Sequence, residues 1–110
     1  MQTFSDSMLT QIALNLLSAF LAEMGMLPSD DGMDIQEHGP RRLYILQSKV
    51  PSTMENSIDT REMYHALEDY LAKHNAVTTA VRFYPYNVDL YVCPCGCGTF
   101  MYASAYITPD

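Results

Sequence analysis

Cys93, Cys95 and Cys97 fall within five residues, in the run Cys93-Pro94-Cys95-Gly96-Cys97-Gly98, and the chain has no other cysteine. A thiolate is both a nucleophile and a soft metal ligand, so thiols gathered at one point are equipped for metal binding or redox exchange. Pro94 fixes one backbone angle, and Gly96 and Gly98 admit positive φ, so the chain can curl its sulfurs inward. Zinc takes four tetrahedral ligands, commonly Cys and His, and this turn supplies three of them. The fourth is sought among His38, His65, His74 or a carboxylate, with His65 taken as the candidate. A second chain could supply it instead.

Other chemistry is harder to find. Glu62 and His65 share a helical face, but one such pair lacks the second copy that a di-iron bundle needs, and a surface ion pair is the simpler expectation. His65 with Asp69 has the same reading. No serine or cysteine stands in a nucleophile-elbow context, and there is no phosphate-cradling glycine loop or dinucleotide fingerprint. The acidic run Pro28-Ser29-Asp30-Asp31-Gly32-Met33-Asp34 fails the calcium-loop pattern, because its acids do not alternate correctly. An enzyme therefore rests on the cysteines alone, and a non-enzymatic role is favoured.

The turn looks like the Cys-x-Cys-Gly-Cys-Gly element of small uncharacterised bacterial and phage proteins, where it is taken to hold zinc. The likeness covers about six residues of 110. It implies metal at Cys93, Cys95 and Cys97. The turn also partly resembles a zinc knuckle, Cys-Pro-x-Cys-Gly, with the first spacing one residue shorter here. Three readings of the turn remain open: a structural or interface zinc site, which is favoured; a redox or reactive Cys-x-Cys; and a hairpin with the cysteines as small apolar residues. The redox reading needs a lowered thiol pKa, and no Lys, Arg or His adjoins the cysteines in sequence to provide it.

The remaining chain must position that turn. Its 110 residues suit a single domain, 1–110, and 48% hydrophobic with 17% charged residues is a globular composition. Leu9, Ile12, Ala13, Leu16, Phe20 and Met24 recur at helical spacing and predict a helix over 7–26, started by Ser5 or Asp6. Residues 28–40 read as an acidic loop, and Arg42–Val50 as a strand. Residues 51–58 read as a linker. Asp59 opens a second helix through about Lys73, with Met63, Ala66, Leu67, Tyr70 and Leu71 as its buried stripe. Strands follow at 77–84, Val88–Val92 and Thr99–Ile107, with Pro85-Tyr86-Asn87 as a turn. The expected fold is α+β, with two helices packed on one mainly antiparallel sheet in the order α-β-α-β-β-β.

Net charge is −7, and no segment is basic. Direct nucleic-acid binding is disfavoured, because phosphate contacts need clustered Lys and Arg. Anionic membranes are repelled, and basic protein surfaces are attracted. The N-terminal apolar run is broken by Gln11, Asn15, Ser18 and Glu23, so it reads as neither a signal peptide nor a membrane span, and a cytoplasmic location is expected. From Leu90 to Pro109 there is no charged side chain. The last strand sets Phe100, Tyr102 and Tyr106 on one face and Met101, Ala103 and Ala105 on the other. A central or covered position is expected for it, and its tyrosines suit an interface.

The function expected from these features is that of a small acidic protein-binding module, able to pair as a homodimer, with its cysteine turn stapled by zinc. Size and charge make it analogous to a phage- or mobile-element-encoded inhibitor that occupies the basic groove of a host nucleic-acid-handling or defence protein. The alternative is a thiol-redox or metal-carrier protein that uses the three cysteines.

Overall fold

The structure, a computed structural model, describes residues 4–27 and 32–109. Residues 28–31 of the predicted acidic loop lie outside the described residues. The fold is α+β: helices α1 (Asp6–Glu23) and α2 (Thr60–Val77) pack with strands β1 (Met33–His38), β2 (Arg41–Lys49), β3 (Val81–Val92) and β4 (Thr99–Pro109). All pairings are antiparallel, in the spatial order β1-β2-β4-β3. The element order is thus α-β-β-α-β-β, and two boundaries of the predicted order α-β-α-β-β-β are corrected.

The first correction is β1, which occupies part of the predicted loop. Five of its six residues are exposed, so it lacks the half-buried alternation that marks a strand in sequence. Its order comes from the ladder to β2, which runs from Met33 opposite Leu46 to His38 opposite Arg41. The second is β3, which runs through the predicted turn. Pro85 and Tyr86 lie at a register irregularity between Pro85 and Asn87, where the pairing to β4 steps by a residue. Proline fits there because β3 is an edge strand, and a bulge needs one fewer ladder hydrogen bond.

Helix α1 begins at Ser5, whose hydroxyl accepts the Met8 amide at 3.2 Å. It buries Leu9, Ala13, Leu16, Leu17, Phe20 and Leu21. Arg42 ties its first turn to the sheet, 2.9 Å from Asp6 and 2.9 Å from Glu37. Helix α2 begins at Asp59, whose carboxylate accepts the amides of Arg61 at 2.9 Å and Glu62 at 3.3 Å. It continues past the predicted end at Lys73 because its last turn is held from outside. Asn75 exchanges hydrogen bonds with the Phe83 backbone at 2.8 and 2.9 Å, and the Arg82 guanidinium donates to the carbonyls of Asn75 and Thr78. Leu67 and Leu71 are fully buried, with Met63, Ala66 and Tyr70 packed at the margin of the core.

The helices cover one face of the sheet. On that face β4 contributes Met101, Ala103, Ala105 and Ile107, all at most 1% exposed, and β2 contributes Tyr44 and Leu46, with Val50 buried just past its end. Strand β4 is central, as expected, and its other face carries Phe100, Tyr102, Ser104 and Tyr106. The register sets this second set beside Leu43, Ile45, Gln47 and Lys49 of β2 and Tyr84, Asn87, Asp89 and Tyr91 of β3. Among the described residues no helix covers this face. Among the described residues no helix is long and apolar enough to cross a membrane.

Candidate metal centre

Strands β3 and β4 pair through Val92 opposite Thr99, and the cysteine run is the loop between them. The Gly96 amide donates to the Cys93 carbonyl at 3.0 Å, which makes Cys93–Gly96 a β-turn with Pro94 at the second position, where its fixed φ fits. The Cys93 amide then donates to the Gly98 carbonyl at 2.9 Å and shuts the loop. Gly96 and Gly98 have φ of +85° and +131°, so the return path uses backbone angles that side-chain-bearing residues rarely adopt. The curl expected of the glycines is therefore present.

The consequence is convergence of sulfur. The Sγ atoms of Cys93, Cys95 and Cys97 all lie within 4.8 Å of one another. Cys95 and Cys97 are exposed and Cys93 is half-buried, with no disulfide among them. Tetrahedral thiolate ligands at about 2.3 Å from a zinc ion stand roughly 3.8 Å apart, so small side-chain rotations would bring these sulfurs around one ion. The three cysteines could hold a metal ion.

Electrostatics within the triad favour one thiolate. Hydrogen bonds from the Cys95 and then the Cys97 thiols lower the Cys93 pKa to about 7. The complementary cost falls on Cys97, which is pushed up to about 12, first by its hydrogen bond with Cys93 and then by that with Cys95. The lowered pKa that sequence neighbours could not supply thus comes from the sister thiols. Metal binding would displace the remaining thiol protons, since only thiolates ligate.

The fourth ligand is a different matter. His65 is not part of the sulfur group. It sits exposed on α2 with its Nδ1 2.7 Å from Glu68 Oε1, an i,i+3 pair rather than the expected partnerships with Glu62 or Asp69. His38 lies at the far end of the sheet, opposite Arg41, with its Nδ1 2.7 Å from the Tyr106 hydroxyl. Eight residue steps of strand separate Arg41 from Lys49 beside the cysteine turn, roughly 26 Å at the usual rise. His74 packs between Tyr70, tilted against its ring, and Phe83, edge-on. Among the described residues the metal-donor group consists of the three cysteines.

Lys49 is a neighbour of the turn that sequence spacing does not reveal. It ends β2, opposite Phe100, and a Cβ at position 98 would lie 3.1 Å from its Cε and 3.8 Å from its Nζ. The glycine leaves room for that side chain, and the ammonium sits beside a loop that becomes anionic when its thiols ionise. Only the long-range β2–β4 register brings the two together. Set against known protein families, curated proteins and solved structures, the chain matches none of them.

Proposed function

We propose that the chain is a small acidic protein-binding module whose β3–β4 hairpin is stapled at its tip by zinc through Cys93, Cys95 and Cys97. The observation that carries this reading is the convergence of three sulfurs at a solvent-facing tip, without a fourth donor from the described chain. A structural zinc site closes its fourth position with a protein ligand. Here that position faces outward, where a donor from a partner or from a second copy can complete it. The staple joins the ends of β3 and β4, and so holds the helix-free sheet face in register.

That face supplies the contact surface. Tyr84, Tyr86 and Tyr91 are 44%, 50% and 46% exposed. Tyrosines give large contact area at low entropy cost. The net charge of −7 steers the molecule toward basic partners, of which nucleic-acid-handling proteins are the main chemical class.

Thiol titration before and after chelation, together with light scattering in both states, tests the staple. Silent thiols that become reactive on chelation are expected, and a dimer that dissociates with chelator would place the fourth donor on a second copy. Metal-free protein with fast-reacting thiols would replace this account with a second reading, thiol exchange or metal transfer. That reading is favoured by one observation, the exposed triad with Cys93 lowered to about 7.

A further inference from the structure

The helix-free face is not flat. A groove of about 540 Å³ crosses it, and its shape follows from the strand register. Asp34, Ile45, Ser104 and Asn87 form one row across β1, β2, β4 and β3. That row spans three interstrand spacings, roughly 14 Å. Ser104 is the small residue on the central strand, flanked by Tyr102 and Tyr106, and it is buried with its hydroxyl donating to the Asn87 carbonyl at 3.1 Å. The missing bulk at Ser104 forms the floor. Tyr102 and Tyr86 form walls, and the carboxylates of Asp34 and Asp89 enter from the two edge strands. Among the described residues that line it there is no Lys or Arg.

We infer that this groove receives an arginine side chain presented by a protein partner. The inference rests on the protein-binding reading above and names the chemistry of the partner. Charge selects a cation, because two carboxylates face a groove with no lining cation, on a chain of net charge −7. The tyrosine walls select a planar one, because guanidinium stacks on aromatic faces and pairs with carboxylates at its edge. The same face already holds one guanidinium in this way: Arg41 Cζ lies 4.2 Å from the Tyr106 ring centroid and 5.2 Å from that of Tyr84. Arg41 stands at the far end of β2, so the groove between Asp34 and Asp89 is left for an incoming side chain. A second copy laid face to face would set like carboxylates against each other, which disfavours self-association there.

The test is an NMR titration of the metal-loaded protein with the blocked tripeptide Gly-Arg-Gly, with Gly-Lys-Gly and Gly-Glu-Gly alongside. The expected result is shifts centred on Asp34, Ile45, Tyr86, Asp89 and Tyr102, with arginine binding tighter than lysine and no binding of the glutamate peptide. The exposed-site variant Asp34→Asn with Asp89→Asn should weaken arginine binding about tenfold, the scale of a lost charge-assisted contact. A control, Glu62→Gln with Asp69→Asn on α2, should leave it unchanged. Unchanged binding in the groove variant, or shifts spread over the α2 carboxylates, would overturn the inference. So would a dimer by light scattering whose groove amides are protected from exchange. A silent groove in a chain that still binds a basic protein elsewhere would remove this inference and leave the protein-binding reading standing. Failure of the peptide and of every basic protein to bind would remove both.

Discussion

Strand β4 presents two faces made from alternate residues of one segment, and they differ in kind. Met101, Ala103, Ala105 and Ile107 are sealed under the helices. Tyr102 and Tyr106 stand on the other side, half-buried, with ring contacts to Tyr91 and Tyr86 and, among the described residues, no helix above them. The covered face combines small residues on β4 with large ones on the helices, such as Leu17, Phe20, Leu67 and Leu71, which suits close packing. The uncovered face combines amphipathic rings with polar groups. Burial is concentrated on the first, and the second keeps its rings partly open to solvent.

The largest effect should come from breaking the covered face. Leu71→Ala should lose about 2–5 kcal/mol in chemical denaturation, the usual cost of emptying a buried leucine site. A loss under about 1 kcal/mol would mean that the helix layer contributes little and that the two faces are not so different.

Chelation comes next. Removing a metal held at a hundredfold its dissociation constant costs about 2.7 kcal/mol, so the thermal midpoint should fall on chelation. In the Cys93→Ser, Cys95→Ser, Cys97→Ser triple variant it should not move. A fall of equal size in the triple variant would place the metal elsewhere.

The third effect is in reactivity. Without metal, Cys93 has a folded pKa of about 7, below the ordinary thiol value, so its thiolate is stabilised by the fold. That stabilisation is present above the unfolded thiol pKa and is lost as pH falls through about 7. Cys97 has the opposite sign: with its pKa pushed up to about 12, its contribution holds below the unfolded value and disappears at high pH. Alkylation of the metal-free protein should therefore rise through a midpoint near pH 7, and Cys95→Ala should shift that midpoint upward because the leading hydrogen bond is gone. An unshifted midpoint would show that Cys95 does not set it.

The smallest stability effect belongs to the open face. Tyr86→Ala, at an exposed position on the bulge, should change stability by no more than about 0.5 kcal/mol. A loss rivalling that of Leu71→Ala would erase the distinction between the faces.

The sequence reveals those parts of the molecule that depend on local or periodic signals. Both helices are legible because their apolar stripes and caps, Ser5 and Asp59, are local. The thiol turn is legible because its proline and glycines encode its path in the same residues that carry the sulfur. Strand β1 is not legible, because pairing rather than burial holds it, and Met33–His38 shows no buried alternation. The unity of β3 is hidden by Pro85, which reads as a turn residue until β3 is known to be an edge. His65 lies outside the sulfur group for a related reason: its helix is legible, but helix propensity says nothing of which way that helix faces relative to the hairpin tip. Lys49 is the converse case, since only the β2–β4 pairing brings it to Gly98.

The central claim is that Cys93, Cys95 and Cys97 together hold one metal ion. Elemental analysis of untagged protein, run beside the single variants Cys93→Ser, Cys95→Ser and Cys97→Ser, tests it most directly. Stoichiometric zinc is expected in the parent chain, with a marked loss in each variant. Parent protein free of metal, or variants that keep the full complement, would contradict it.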